Sequence, residues 1–165
     1  MITADGTPKV IEYNCRFGDP ETQPIMLRMR SDLVAHCLAA LEQRLDEEST
    51  DWDPRAAVGV VLAAGGYPGS YAKDLPISGL PEPESDDAKV FHAGTRLEND
   101  QILTTGGRVL CATALGESVG QAQQRAYELT RSIHWQDVYF RSDIAYRAIA
   151  REQASYCLLY TSPSP

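Results

Sequence analysis

The chain has 165 residues, 43% of them hydrophobic, and a formal net charge of −8. A pI near 4.8 excludes nucleic-acid binding through a general basic surface, though not a nucleotide held in a local site. The apolar content suffices for one ordinary domain, or a small domain with appendages, and excludes disorder throughout. No apolar run approaches the length of a membrane span, and no charged-then-apolar signal segment opens the chain. The expectation is a protein of the cytoplasm with no membrane and no nucleic-acid partner.

The first element is a strand over residues 9–17. Asp5-Gly6 is a tight-turn signal, which makes Ile2 and Thr3 the stump of a pairing strand. Val10, Ile11, Tyr13 and Phe17 are strand formers, and no breaker intervenes before Gly18. Strand alternation puts Glu12, Asn14 and Arg16 on one face, and Ile11, Tyr13, Cys15 and Phe17 on the other. A carboxylate and an amide oxygen are hard ligands for Mg²⁺ or Mn²⁺, whose remaining sites water and phosphate oxygens fill. An adjacent guanidinium can hold a phosphate oxygen or stabilise a phosphoryl group in transfer. The same pattern also fits a solvated strand face with a Glu12–Arg16 salt bridge. Gly18 then turns the chain, and Asp19-Pro20-Glu21 sets two more carboxylates in a loop, where they also favour the start of the next helix.

Residues 24–45 read as helix, with Pro24 in the first turn and Ser31 as a cap for a second helix or a second segment of the same one. Leu33, Val34, Cys37, Leu38, Leu41 and Leu45 form its apolar stripe, with His36 at the edge. Residues 46–57 are polar and acidic, a linker in which Trp52 serves as a packing anchor. Residues 58–64 fit a buried strand, ended by the glycine-rich turn Gly65-Gly66-Tyr67-Pro68-Gly69. That turn lacks the Lys-Ser/Thr ending of a P-loop.

An exposed acidic loop is expected over 73–88, followed by antiparallel strands over 89–93, around Leu97-Glu98, over 101–104, and over 108–115. The turns fall at Asn99-Asp100 and Thr105-Gly106-Gly107. Ser118 and Gln121 form a capping-box pattern for a helix reaching residue 133. A short strand and a helix follow over 138–152. An antiparallel sheet with a covering helix is an α+β arrangement. The spacing of Cys15, Cys37, Cys111 and Cys157 fits no zinc pattern, and the first three lie in apolar patterns, so buried free thiols in a reducing compartment are expected. His92 is read as structural, and pattern alone assigns no role to Arg141 or Asp143.

The run from Glu12 to Gln23, Glu-Tyr-Asn-Cys-Arg-Phe-Gly-Asp-Pro-Glu-Thr-Gln, resembles the phosphoribosylamine–glycine ligases, ATP-grasp enzymes of purine biosynthesis. The resemblance continues through the 65–69 turn, Phe91-His92-Ala93-Gly94-Thr95, Gly106-Gly107-Arg108-Val109-Leu110 and Arg141-Ser142-Asp143-Ile144, and covers about residues 1–153. Relatives usually carry glycine where this chain has Ala145, a change that matters only if the backbone there needs positive φ.

The resemblance implies ATP-dependent ligation of 5-phosphoribosylamine and glycine. Glu12 and Asn14 would be metal ligands, with Arg16 as the catalytic contact to phosphate. Asp19 and Glu21 would orient substrate. It implies residues 1–50 as the end of an ATP-grasp domain and 51–153 as a small C-terminal domain. Residues 154–165 fall outside the family and read as a disordered tail of non-native coding origin. The phosphate-binding lysine and glycine-rich loop would lie upstream, in a missing N-terminal portion. The competing expectation is a non-catalytic fragment that binds metal or packs against absent domains. On either reading the isolated chain is expected to be inactive.

Overall fold

The computed structural model describes residues 7–12, 15–82 and 85–160, except for the side chains of 155–160. The fold is organised on β5 (Arg108–Gly116), the longest strand. β1 (Ala56–Ala63) and β2 (Ala88–His92) pair with it antiparallel on either side, giving the order β1-β5-β2. A second pair, β3 (Thr95–Glu98) and β4 (Gln101–Thr104), forms a hairpin. Its turn is Asn99-Asp100, with φ of 49° and 60°, values that Asn and Asp tolerate better than most residues.

Alternation assigns the faces of the main sheet. Val58, Val60 and Ala114 pack on Ala122, Ala126 and Tyr127 of α3 (Val119–Ser132). Ser118 caps this helix by accepting from the Gln121 amide at 3.1 Å, and Gln121 reaches back to the Glu117 amide at 2.7 Å. Gly116 lets helix and strand close up, since a Cβ there would lie 2.3 Å from the Ala122 nitrogen. A second cluster joins Leu62, Val90, Leu110 and Ala112 to Ile133 and Trp135. On the opposite face, α1 (Thr22–Arg28) sets Pro24 over Gly59. The core is thus a sheet between α3 and the short α1, the α+β arrangement expected of the sequence.

Several expectations change. The described residues of 9–17 are irregular, with Val10 and Ile11 at 69% and 74% exposure. An extended segment becomes a strand only when a neighbour takes its alternate N–H and C=O groups; the partner expected at Ile2 and Thr3 lies, with residues 13 and 14, outside the described residues. Of the two alternatives for residues 24–45, two helices are found, α1 and α2 (Leu33–Leu41), with a 3-10 turn at Leu45–Glu47. The break arises because residues 28–30 pair with 51–53: Arg30 N donates to Asp51 O and Asp53 N to Arg28 O.

Asp32, not Ser31, caps α2, accepting from Val34 N at 2.8 Å; Ser31 Oγ instead receives the Asp51 amide. The apolar stripe of α2 exists but faces outward, with Val34, Leu38 and Leu41 all exposed. Cys37 follows it, and Cys15 is also exposed, so among the described cysteines only Cys111 is buried. The strand expected near 138 is a single bridge, Ala63 to Tyr139. The backbone of residues 154–160, expected to be disordered, continues α4 (Tyr146–Tyr160).

Candidate functional site

Glu12 and Arg16 are exposed, with no shared strand face and no ion pair between them. The Arg16 guanidinium donates only to the neighbouring Phe17 carbonyl, at 3.3 Å. Asn14 lies outside the described residues, and those residues gather no group of three or more His, Cys, Asp or Glu around a common point. Glu21 sits at the start of α1 without a side-chain cap bond, and Thr22 Oγ1 closes the turn onto the Gly18 carbonyl. Of the four predicted site residues among the described ones, Asp19 is the one with an ion pair to the sheet: its Oδ2 meets Arg108 Nη2 at 3.1 Å.

Arg108 of that pair also lines a cleft of about 290 Å³. Gly59, Val61 and Ala63 of β1 form the floor, on the face away from α3. Tyr67 and Tyr139 stand as walls, and Arg108 and Arg141 carry the charge. Each part has a local cause. The 65–69 turn closes on its own carbonyls, Tyr67 N to Ala64 O and Gly69 N to Gly66 O. Gly66, at φ 92°, supplies the left-handed position such a turn needs. Tyr67 then lies against Gly107, where any Cβ would strike its ring. Tyr139 is fixed by exchanging both backbone hydrogen bonds with Ala63, at 2.8 and 2.9 Å.

A bulge aims Arg108. Leu62 pairs with Leu110 but Ala63 pairs with Arg108, leaving Val109 as the extra residue. Strict alternation would put Arg108 on the α3 face with Leu110 and Ala112. The bulge turns it to the cleft face instead, a known way to redirect one side chain. Arg141 is set from the other side: Tyr127 donates its hydroxyl to the Arg141 carbonyl at 2.6 Å and accepts from Ile144 N at 3.1 Å. The Arg141 side chain grips Asp143 through Nε at 2.8 Å and Nη2 at 2.7 Å. This contact lowers the Asp143 carboxyl below its ordinary range and raises the guanidinium.

Under α1 lies Cys111, 3.5 Å from Thr113 Oγ1, its thiol pushed up mainly by burial. The segment carrying Asp19 and α1 is clasped to the sheet by Asp53. This buried carboxylate receives Arg55 from Nε and Nη2 and Arg30 from Nη2, at 2.8 to 3.0 Å. Arg55 also reaches Asp87, and Arg28 donates twice to the Asp53 carbonyl. The hydrogen bonds from Arg55 lead in holding the Asp53 carboxyl far below its usual range.

A family model described as phosphoribosylglycinamide synthetase, C domain, matches residues 57–147. The chain belongs to that family. The family domain spans the sheet, the hairpin and α3, and includes Arg108, Tyr139 and Arg141, whereas Asp19 and Glu21 precede it. The chain is 66% identical over 153 residues to a phosphoribosylamine–glycine ligase of Vibrio vulnificus, covering 93% of this chain and 36% of the relative. It is 64% identical over 154 residues to one of Escherichia coli O157:H7, with the same two coverages. The crystal structure of phosphoribosylamine–glycine ligase from Thermotoga maritima matches with a TM-score of 0.66 at 35% identity, over 84% of this chain and 34% of that one. The chain therefore spans about a third of the length of the relatives it matches.

Sequence reasoning singled out Asp19 but not the cleft. Tyr67, Arg108 and Arg141 stood in recognised motifs without a role, and Tyr139 stood in none. The readable signal was the pair Gly106-Gly107 before Arg108, since small residues beside a strand start leave room for an aromatic wall.

Proposed function

We propose that the chain is the C-terminal share of an ATP-dependent carbon–nitrogen ligase of purine biosynthesis. It joins 5-phosphoribosylamine to glycine and yields glycinamide ribonucleotide, ADP and phosphate. The observation that carries this reading is 66% identity over 153 residues to a ligase of that name. In the proposed chemistry ATP transfers its γ-phosphoryl group to the glycine carboxylate, releasing ADP. The amine of phosphoribosylamine attacks the acyl carbon, phosphate leaves, and the nitrogen loses a proton.

The barrier lies in charge on phosphoryl and acyl oxygens, so positioned cations and donors do the work. Arg16 is the proposed contact to the transferring phosphoryl group, and Asp19 and Glu21 orient the substrates. Glu12 and Asn14 are hard oxygen donors suited to Mg²⁺ or Mn²⁺, which when bound would supply positive charge at the phosphates. Residues 1–50 are proposed as the end of the ATP-grasp part, 51–153 as the C-terminal domain, and 154–165 as outside the family. The proposed setting is the cytoplasm; no helix among the described residues is long and apolar enough to cross a membrane.

By itself the chain is proposed to be non-catalytic. Glu12 and Arg16 are exposed, and catalysis depends on reacting groups being held in place. The test is a chimera in which this chain replaces the corresponding third of a Vibrio ligase. ADP release that requires both glycine and phosphoribosylamine is expected from the chimera and not from the chain alone. Arg16→Gln in the chimera should abolish it. A folded chimera that releases no ADP with both substrates present would overturn the reading.

A further inference from the structure

Every polar atom of Asp53 is engaged, and the partners lie on both sides of one junction. Its amide donates to the Arg28 carbonyl at 2.7 Å, and its own carbonyl accepts from Arg28 Nε and Nη2 at 3.1 and 2.9 Å. Oδ1 accepts from the Arg55 amide and Nε at 2.9 and 3.0 Å. Oδ2 accepts from Arg55 Nη2 and Arg30 Nη2 at 2.8 and 3.0 Å. Arg55 continues to Asp87, just before β2. The residue is only 4% exposed.

Cohesion alone does not account for such a junction. Taking charges out of water costs about what their pairing returns, so a buried ion pair is weak evidence for stability; its better-attested use is to specify one arrangement among several. What it specifies here is the placement of α1. That helix has seven residues, none of them buried, and so short a helix is not stable by itself. It is held at two points, Pro24 against Gly59, and Arg28 with Arg30 against Asp53. From the second point about 10 Å of helix leads back to Glu21 and Asp19. A shift at the Arg28 end is therefore carried to both carboxylates.

We propose that Asp53 is a positioning residue for the Asp19–Glu21 loop, setting its two carboxylates by fixing the C-terminal end of α1 to the start of β1. The proposal rests on the ligase reading for what those carboxylates do, and deepens it by adding a residue that acts only through α1. Asp53→Asn keeps the size of the side chain but swaps one acceptor oxygen for an NH₂ group, which then faces guanidinium donors.

In the ligase chimera, Asp53→Asn should raise KM for glycine and phosphoribosylamine roughly tenfold or more, with KM for ATP unchanged; a misplacement of about 1 Å can cost about a hundredfold in rate. Arg30→Gln removes only the half-exposed partner and should act in the same direction more mildly. Arg30→Lys can still place one donor on Oδ2 and should restore most of that loss. Gly116→Ala disturbs the α3 side of the sheet instead, and should lower the melting temperature with every KM unchanged. If KM for glycine and phosphoribosylamine moves no further in Asp53→Asn than in Gly116→Ala, the proposal is overturned.

Hydrogen exchange in the isolated chain reads the placement without ATP or catalysis. The Ile25 and Met29 amides, bonded to the Glu21 and Ile25 carbonyls, should exchange roughly tenfold faster in Asp53→Asn, the scale of a lost hydrogen bond to a charged group, with β5 amides unchanged. Equal acceleration in β5, or none in α1, would reveal a general contribution to stability and overturn the proposal. An unsubstituted chimera without activity sinks the ligase reading alone, since exchange still decides whether Asp53 fixes the loop. An active chimera whose KM values ignore Asp53 sinks the positioning alone.

Discussion

Ala145 sits at φ 66°, in the left-handed region that glycine occupies freely and other residues enter at a cost of about 1–2 kcal/mol. Its neighbours leave it no way to relax. The Ile144 amide donates to the Tyr127 hydroxyl at 3.1 Å, and the Ile144 carbonyl accepts from Gln123 Nε2 at 2.6 Å. The Ala145 carbonyl itself accepts from the Ala148 and Ile149 amides that start α4. Replacing it by glycine relieves the strain. Against this, glycine adds unfolded-chain freedom worth about 0.4–1 kcal/mol. Losing a half-buried methyl costs about 0.4 kcal/mol more. The net expectation for Ala145→Gly is a gain of about 0.5 kcal/mol. Ala150→Gly is the control: that residue is exposed within α4, where glycine costs about 1 kcal/mol. The two variants should therefore differ by about 1.5 kcal/mol, or about 3–6 °C in melting temperature for a domain of this size. Thermal melts followed by circular dichroism decide it. If Ala145→Gly melts as low as Ala150→Gly, the strain argument fails.

Three further outcomes follow from the packing and the charges. Asp53 has a folded-state pKa far below the ordinary 3.8, so its contribution is fully present above that value and is lost as pH falls toward the folded one. Urea midpoints of the native chain should accordingly drop between about pH 5 and pH 3 by more than those of Asp53→Asn, the two curves converging in acid; parallel curves would refute it. Gly116→Ala should destabilise by about 1–3 kcal/mol, the cost of overpacking, because its Cβ would press on α3 backbone. Gly120→Ala should stabilise by up to about 1 kcal/mol, since there the nearest atom to a new Cβ is Ser118 Oγ, at 3.7 Å.

The sheet and its covering helix were legible in the sequence because their signals are local and agree with one another. The short apolar run of β1, the strand-forming residues of β5, the Asn99-Asp100 turn and the Ser118–Gln121 cap are each local signals, and tertiary packing opposes none of them. Residues 9–17 misled for the opposite reason. Their composition is that of a strand, but a strand is a property of a pair, and a ladder partner cannot be read from the residues themselves. A second helix near Ser31 was legible as an alternative, but the cause of the break was not, since it comes from pairing with residues 51–53, and Asp32 outcompetes Ser31 as cap once Ser31 is engaged by Asp51. The cleft was illegible because Arg108 reaches it through a bulge, which period-two reasoning places on the wrong face.

The distribution of exposed apolar surface gives the fold a direction. Val10, Ile11, Phe17, Val34, Leu38, Leu41 and Leu45 are all exposed, and all precede β1. From β1 onward the large apolar residues are mostly inside, in two clusters that share the sheet. The first part is nevertheless not loose, because three separate links hold it to the second. Asp19 pairs with Arg108, Pro24 seats on Gly59, and Arg28 and Arg30 close on Asp53. These links fix the Asp19 loop against the cleft while leaving Glu12 and Arg16 outward.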